Sequence, residues 1–125
     1  MNNPVVLLVE DSADDEEFTV WALRRVGVTR IAVARDGAEA LAMLHGSPSS
    51  EPSIAPDLVF LDLRLPKIDG IEVLERIRGD ERTRHLRVAI LTSSNDPRDV
   101  DDCARLGAAA MIAKPLGVET LETFL

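Results

Sequence analysis

The chain has 125 residues, 46% of them hydrophobic and 29% charged, with a formal net charge of −8, which fits one globular domain over residues 1–125. The acidic balance argues against nucleic-acid binding, because phosphate backbones require basic surfaces. No apolar run is long enough to span a membrane, no signal peptide is visible and Cys103 is the only cysteine, so we expect a cytoplasmic protein without disulfides.

In chain order, five short apolar runs are predicted to form strands, and helical patterns alternate with them. The predicted strands are Val5–Val9, Ile31–Ala34, Leu58–Leu63, Arg87–Leu91 and Ala109–Ala113. The predicted helices begin at the capping residues Ser12, Asp36, Asp69 and Asp96, and a fifth helix runs from Val118 to Leu125. Uninterrupted apolar runs are typical of strands buried on both faces. The alternation therefore predicts an α/β domain, a parallel sheet with helices on both faces.

Apolar spacing indicates which side of the first helix faces the core. Phe18, Ala22 and Val26 recur at helical intervals with Thr19 and Leu23 beside them, and Trp21 falls off that stripe. Trp21 is therefore either an exposed docking residue or a cover for the edge of the core. Three isolated residues carry no pattern of their own, and we expect the first two at the surface and the third in the core: His45, His85 and Cys103.

A stretch rich in serine and proline, Ser47–Ser53, separates the second helix from the third strand. Its composition predicts a loop. Because the loop leads from a helix into a parallel strand, we expect it at the end of the sheet away from Asp62, as a tolerated surface insertion.

Polar side chains follow four of the five predicted strands. They are Glu10 and Asp11 after the first strand, Asp62 in the third, Thr92 after the fourth and Lys114 after the fifth. Parallel strands end at one edge, where open α/β sheets bind ligands. Three carboxylates repel one another unless a cation lies among them, and all-oxygen ligation suits Mg²⁺. An aspartate in such a site can be a nucleophile toward a phosphoryl group, whose oxygens an ammonium and a hydroxyl group would stabilise.

This order of residues resembles the receiver domain of two-component response regulators. The segments that carry the resemblance are Val9-Glu10-Asp11, Leu61-Asp62-Leu63-Arg64-Leu65-Pro66, Asp69-Gly70, Leu91-Thr92-Ser93-Ser94, Gly107-Ala108 and Lys114-Pro115. They are distributed over nearly the whole chain. The resemblance implies a flavodoxin-like sheet of five parallel strands in the order 2-1-3-4-5, with the site between the first and third strands.

The resemblance also implies how the site binds its metal. Asp62 corresponds to the phospho-acceptor, Asp11 to the direct Mg²⁺ ligand and Glu10 to a second acid that acts through water. The backbone carbonyl of Arg64, two residues after the acceptor, corresponds to the third protein ligand. The Arg64 side chain either modulates the lifetime of the phosphoryl group or is an ordinary exposed arginine.

The remaining correspondences concern the conformational switch. Thr92 corresponds to the hydroxyl group that moves onto the phosphoryl group, and Lys114 to its cationic partner. The resemblance implies a cis peptide bond between Lys114 and Pro115. Met111 stands three residues before the lysine, where many members of the family have an aromatic switch residue. Methionine can fill that space. The sequence therefore does not predict whether this chain has the aromatic part of the switch, whereas it does predict the acceptor chemistry.

The function implied is that of a stand-alone receiver. It would take a phosphoryl group from the phosphohistidine of a sensor histidine kinase onto Asp62 and alter the surface of its fourth helix, fifth strand and fifth helix for a partner or a homodimer. The insertion at residues 47–56 and the lack of an output domain resemble regulators paired with phytochrome-type kinases. Self-dephosphorylation would be the only turnover, so we expect a switch and not an enzyme.

Two alternatives remain. A phosphatase of the haloacid-dehalogenase type would use Asp62 as nucleophile, but it needs an acid two residues later, where this chain has Arg64. The other alternative is a scaffold with a receiver fold that acts independently of phosphorylation. Met111 and the short last helix are compatible with it.

The acidic run from Glu10 to Glu17 extends beyond the predicted site. Only Glu10 and Asp11 precede the first helix. We expect the later acids, Asp15 among them, to be solvated side chains that complement the helix dipole.

Overall fold

The computed structural model describes residues 3–93 and 95–125, and a parallel five-stranded sheet forms its centre. The strands are β1 Val5–Val9, β2 Arg30–Ala34, β3 Leu58–Asp62, β4 Arg87–Thr92 and β5 Ala110–Ala113. The helices are α1 Ala13–Arg25, α2 Gly37–His45, α3 Gly70–Gly79, α4 Pro97–Arg105 and α5 Val118–Phe124. All neighbouring strands are parallel, in the order β2-β1-β3-β4-β5. The predicted fold class and strand order are confirmed.

The sheet buries both of its faces, as the uninterrupted apolar runs predict. On one face, Leu7 and Val59 pack with residues of α2, α3 and α4. On the other, Leu8 and Phe60 pack with residues of α1 and α5. Successive strand residues point to opposite faces, so each run feeds both layers of the core. Burial of one such side chain contributes about 1.5–3 kcal/mol.

Side-chain caps begin three of the helices. Ser12 accepts a hydrogen bond from the Asp15 N–H at 3.3 Å, and Asp36 accepts one from the Glu39 N–H at 2.8 Å. Asp96 does the same for Arg98 at 2.9 Å. Such caps satisfy N–H groups that have no partner within the helix.

The start of α3 differs from the prediction in one respect. Asp69 is at the N-cap position but makes no side-chain cap hydrogen bond. The Gly70 N–H instead donates to Leu63 O at 3.0 Å. A Cβ atom at Gly70 would lie 2.4 Å from Asp62 O, so glycine is what lets α3 begin against the end of β3.

The inward stripe of α1 is rotated from the predicted one. Thr19, Ala22 and Leu23 are buried, whereas Phe18 is 42% exposed and lies with its ring centroid 6.0 Å from that of Trp21. The prediction that Phe18 faces the core is wrong, because the buried positions follow the i, i+3, i+4 spacing from Thr19. Trp21 is exposed to 53%, as in the first of its two predicted alternatives.

The connection between α2 and β3 lies at the end of the sheet opposite to Asp62. Ile54 of this loop packs against the core, and Ser47 pairs with Ser50 in an isolated bridge. His45 is half-buried, with Nε2 2.9 Å from Thr83 Oγ1, so the prediction of a surface histidine is wrong there. It is confirmed for His85, which is exposed.

Within residues 3–93 and 95–125, no helix combines the length and the apolar character needed to cross a membrane.

Candidate functional site

The carboxyl ends of the strands bring the predicted site residues to one edge of the sheet. Val9 pairs with Leu61 and Asp62 pairs with Leu91, so the residues that follow these positions are neighbours. The Glu10 N–H donates to Ala34 O at 2.9 Å, which extends the β1–β2 ladder by one residue and fixes Glu10 at the edge.

Three carboxylates converge at this edge. Single oxygens of Glu10, Asp11 and Asp62 all lie within 4.8 Å of one another. Glu10 and Asp62 are buried, at 0% and 4% exposure, while Asp11 is exposed. Negative charges brought this close and out of water are costly unless a cation neutralises them.

Lys114 supplies part of that neutralisation. Its Nζ lies 2.8 Å from Asp62 Oδ2, 2.8 Å from Glu10 Oε2 and 3.0 Å from Asp15 Oδ2. Burial alone would lower the pKa of Lys114, but its interactions with these carboxylates raise that pKa above its usual value. The ammonium therefore stays charged, and its three N–H groups face three carboxylates.

Glu10 is the least satisfied group of the site. Its Oε1 accepts a hydrogen bond from the Ser12 N–H at 3.2 Å. Its Oε2 lies near Lys114 but outside hydrogen-bond geometry, and it has no hydrogen-bond donor among the described residues. Burial raises the pKa of Glu10 to about 7, against the lowering effect of Lys114.

A divalent cation fits this arrangement. One lysine faces more carboxylates than it can neutralise, and a buried carboxylate oxygen lacks a donor. The donor atoms are all oxygens, and the exposed Asp11 places one side of the site in contact with solvent. This suits Mg²⁺, which usually keeps several of its water ligands. The residues present therefore match the predicted Mg²⁺ site.

The two oxygens of Asp62 have different partners. Oδ1 accepts a hydrogen bond from the Arg64 N–H at 3.1 Å, and Oδ2 accepts one from Lys114. Thr92 is buried, one residue beyond the position that pairs with Asp62. A carboxylate held at both oxygens beside an ammonium and a hydroxyl group suits attack on a phosphoryl group.

Comparison with known proteins agrees with this geometry. Residues 6–125 match the response regulator receiver domain family. The chain is a response regulator receiver.

The relatives of this chain include regulators from an archaeon and from bacteria, such as the three that follow. The chain is 39% identical over 119 residues to the probable methanogenesis regulatory protein FilR2 of Methanothrix harundinacea, covering 94% of this chain and 76% of FilR2. It is 38% identical over 102 residues to the response regulator Rcp1 of Synechocystis sp., covering 79% of this chain and 69% of Rcp1. The solved structure of the bacteriophytochrome response regulator AtBRR is 37% identical, with a TM-score of 0.80 over 99% of this chain and 91% of AtBRR. Receiver domains generally act as signalling switches that receive a phosphoryl group from histidine kinases.

Three features in and after β5 belong to the site. The peptide bond between Lys114 and Pro115 is cis, as the resemblance implies. The Lys114 N–H donates to Thr92 O at 3.0 Å, which ties the lysine to the end of β4. Met111 is half-buried against the core layer of α2, α3 and α4, at the position where many receivers have an aromatic residue.

The Arg64 side chain extends from the site toward α4. It is 64% exposed, and its guanidinium lies 3.3 Å from Asp99 Oδ2. Of its two predicted alternatives, this position is that of an exposed arginine with one contact to α4. The use of its backbone carbonyl as a metal ligand stays a prediction.

Sequence reasoning missed one residue of the site. Asp15 was expected to be solvated, yet its carboxylate contacts Lys114. One local signal points to it. Asp15 is at the third position of α1, whose first turn begins where β1 ends, so its side chain can reach back to the edge of the sheet.

Proposed function

We propose that Asp62 is the phospho-acceptor of this receiver, with Lys114 and Thr92 as the groups that engage the phosphoryl oxygens. The observation that carries this proposal is the placement of Asp62 Oδ2 at 2.8 Å from Lys114 Nζ, within the cluster of three carboxylates. In this proposal, residues 1–125 act as one receiver unit.

The transfer is a substitution at phosphorus. A carboxylate oxygen of Asp62 forms the new O–P bond, the N–P bond of the kinase phosphohistidine breaks, and its electron pair returns to the imidazole nitrogen. The product is an acyl phosphate on Asp62. Lys114 stabilises negative charge on the phosphoryl oxygens, and the Thr92 hydroxyl group donates a hydrogen bond to one of them.

The metal site in this proposal consists of Glu10, Asp11, Asp62 and the Arg64 carbonyl. A bound Mg²⁺ would supply positive charge close to the phosphoryl oxygens. The solved structure of Rcp1 described as its Mn²⁺-bound form is 32% identical to this chain, with a TM-score of 0.84. That likeness supports a divalent cation at the corresponding edge of the sheet.

The kinase partner proposed is of the phytochrome type. Relatives with 30–37% identity include AtBRR and the phosphorylated cyanobacterial phytochrome response regulator RcpA. Phosphorylation would then shift a pre-existing equilibrium between two conformations of the surface formed by α4, β5 and α5. The favoured conformation would bind a partner protein or a second copy of the chain. The exchange would take place in the cytoplasm, without nucleic acid.

The proposal is tested by intact mass spectrometry after incubation with acetyl phosphate and Mg²⁺. We expect one phosphoryl adduct that requires Mg²⁺, is absent from Asp62→Asn and persists in Asp101→Asn, a control at an exposed acid of α4. Unchanged circular dichroism would show that Asp62→Asn is folded.

Two outcomes would contradict the proposal. Labelling of Asp62→Asn would place the acceptor elsewhere. No labelling of the wild type by acetyl phosphate or by a kinase, with Mg²⁺ binding verified by calorimetry, would favour the phosphorylation-independent scaffold.

A further inference from the structure

Asp15 makes a contact with the site that the roles of the receiver residues leave unexplained. Its Oδ2 accepts a hydrogen bond from Lys114 Nζ at 3.0 Å, across 99 positions of sequence. The Asp15 side chain is 49% exposed, and a half-exposed ion pair contributes little to folding. The main effect of the contact is therefore on where the Lys114 ammonium lies, and not on stability.

Lys114 needs an anchor, because its ammonium is carried on a flexible four-carbon side chain. Three carboxylates surround this ammonium: Asp62 and Asp15 accept hydrogen bonds from it, and Glu10 lies at ion-pair distance. Two of the three have another use. Glu10 and Asp62 belong to the acidic group that fits a divalent cation, and Asp62 becomes an acyl phosphate in the proposed reaction.

Asp15 differs from the other two partners. The acidic group whose oxygens converge within 4.8 Å does not include it, and it takes no part in the transfer. It is not modified in the proposed transfer, and it belongs to the first turn of α1. Two N–H groups of Lys114 then remain for the phosphoryl oxygens while the third stays on Asp15.

We propose that Asp15 is a positioning residue for phosphoryl transfer, which acts by anchoring the Lys114 ammonium beside Asp62. This inference rests on the proposed role of Asp62 as acceptor. Asp15 touches neither the phosphoryl group nor the metal in this scheme. Its effect on the reaction is transmitted entirely through Lys114.

The test compares labelling rates with acetyl phosphate at fixed Mg²⁺. We expect Asp15→Asn to slow labelling about three- to tenfold, the range for losing one charged contact that orients a reacting group. Asp14→Asn is the matched control, because it removes the same charge from the adjacent exposed residue of the same helical turn. It should remain within about twofold of the wild type by the weak effect of exposed charges.

A double-mutant cycle separates positioning from a general structural effect. In a Lys114→Ala background, Asp15→Asn should cause no further slowing, because the residue through which it acts is gone. A second cycle uses urea unfolding in EDTA, without metal or phosphodonor. There Asp15→Asn should lower the midpoint slightly when Lys114 is present, as expected for a half-exposed pair. In Lys114→Ala it should leave the midpoint unchanged or raise it, because the acids then only repel one another.

The outcomes distinguish this inference from the proposed function. A wild type that takes no label contradicts the role of Asp62, and the unfolding cycle still tests the anchor. Three results in a wild type that does take label would overturn this inference alone. They are equal labelling rates for Asp15→Asn and Asp14→Asn, faster labelling of Asp15→Asn than of the wild type, and the same slowing by Asp15→Asn with Lys114 as in Lys114→Ala.

Discussion

Polar clusters lie at both ends of the sheet, and they differ in how fully their atoms are paired. At the carboxyl end, Lys114 faces three carboxylates, and Glu10 Oε2 has no hydrogen-bond donor among the described residues. At the amino end, Arg78 donates four hydrogen bonds to backbone carbonyls. The contrast indicates that the incompletely paired cluster serves a ligand and the completed one serves the fold.

The cluster around Arg78 joins the end of α3 to two connections of the chain, α3–β4 and α4–β5. Arg78 is in the last turn of α3, and its guanidinium donates hydrogen bonds to backbone oxygens. These are Leu106 O at 2.8 Å, Leu86 O at 2.7 Å, Arg84 O at 3.0 Å and Gly107 O at 3.0 Å. Burial lowers the pKa of Arg78, yet a guanidinium stays charged at any physiological pH.

The largest stability effect is expected at this end. Arg78→Ala removes all four hydrogen bonds, two of them part-buried, and should lower the free energy of unfolding by about 3 kcal/mol because the carbonyls lose a charged donor. Arg78→Lys should recover only part of that loss, because an ammonium has fewer donors and no planar fork. Urea unfolding measures both.

Arg76 provides the matched control on the same helix. Its ion pair with Glu72 is exposed at both side chains, so Arg76→Ala should change the free energy of unfolding by less than about 0.5 kcal/mol. Equal effects of Arg76→Ala and Arg78→Ala would remove the contrast between a completed cluster and ordinary surface pairs.

The opposite behaviour is expected at the carboxyl end. Burial raises the pKa of Glu10 from 4.5 to about 7, so the metal-free folded state binds a proton that the unfolded chain releases. That contribution to stability is complete below pH 4.5 and is lost as the pH rises through 7. Glu10→Gln should therefore be more stable than the wild type at pH 8 in EDTA, by roughly 2 kcal/mol.

Mg²⁺ should reverse this ranking. A metal ligand must be deprotonated, so stabilisation of the wild type by Mg²⁺ should grow as the pH rises through 7, the pKa of Glu10. Glu10→Gln should gain less from Mg²⁺ at every pH. Melting curves at pH 5 and pH 8, with EDTA or Mg²⁺, compare the two proteins. A wild type that is more stable than Glu10→Gln at pH 8 in EDTA would contradict the raised pKa of Glu10.

The parts of the site that sequence predicts share one physical basis. An uninterrupted apolar run shows where a strand ends, and parallel order brings the strand ends together. Asp62 is predictable for this reason, because it closes a run of four buried residues in β3. The same reasoning places Thr92 and Lys114, each at the end of its own strand.

The residues that sequence misses depend on rotation about a helix axis or on contacts between distant loops. Phe18 and Thr19 are adjacent in α1, yet only Thr19 is buried. Helical spacing alone does not decide which of two adjacent residues faces the core. Asp15 reaches Lys114 only because α1 and the end of β5 meet in three dimensions. His45 is isolated in sequence, and its partner Thr83 is 38 residues away.

Apart from the control Arg76→Ala, His45→Phe gives the smallest expected change in stability, and it directly tests the contrast between the two ends of the sheet. The Thr83 hydroxyl group donates to Ile77 O at 2.8 Å, so its oxygen accepts from His45 Nε2 at 2.9 Å. His45→Phe removes that donor and should lower the free energy of unfolding by about 1 kcal/mol. His45→Gln can keep a donor near the same position and should lose less. Neither variant should alter the rate of phosphoryl labelling, because His45 lies at the far end of the sheet from Asp62. A labelling rate that changes in His45→Phe while the protein stays folded would show that the two ends are coupled, and that the cluster at the amino end does more than hold the fold.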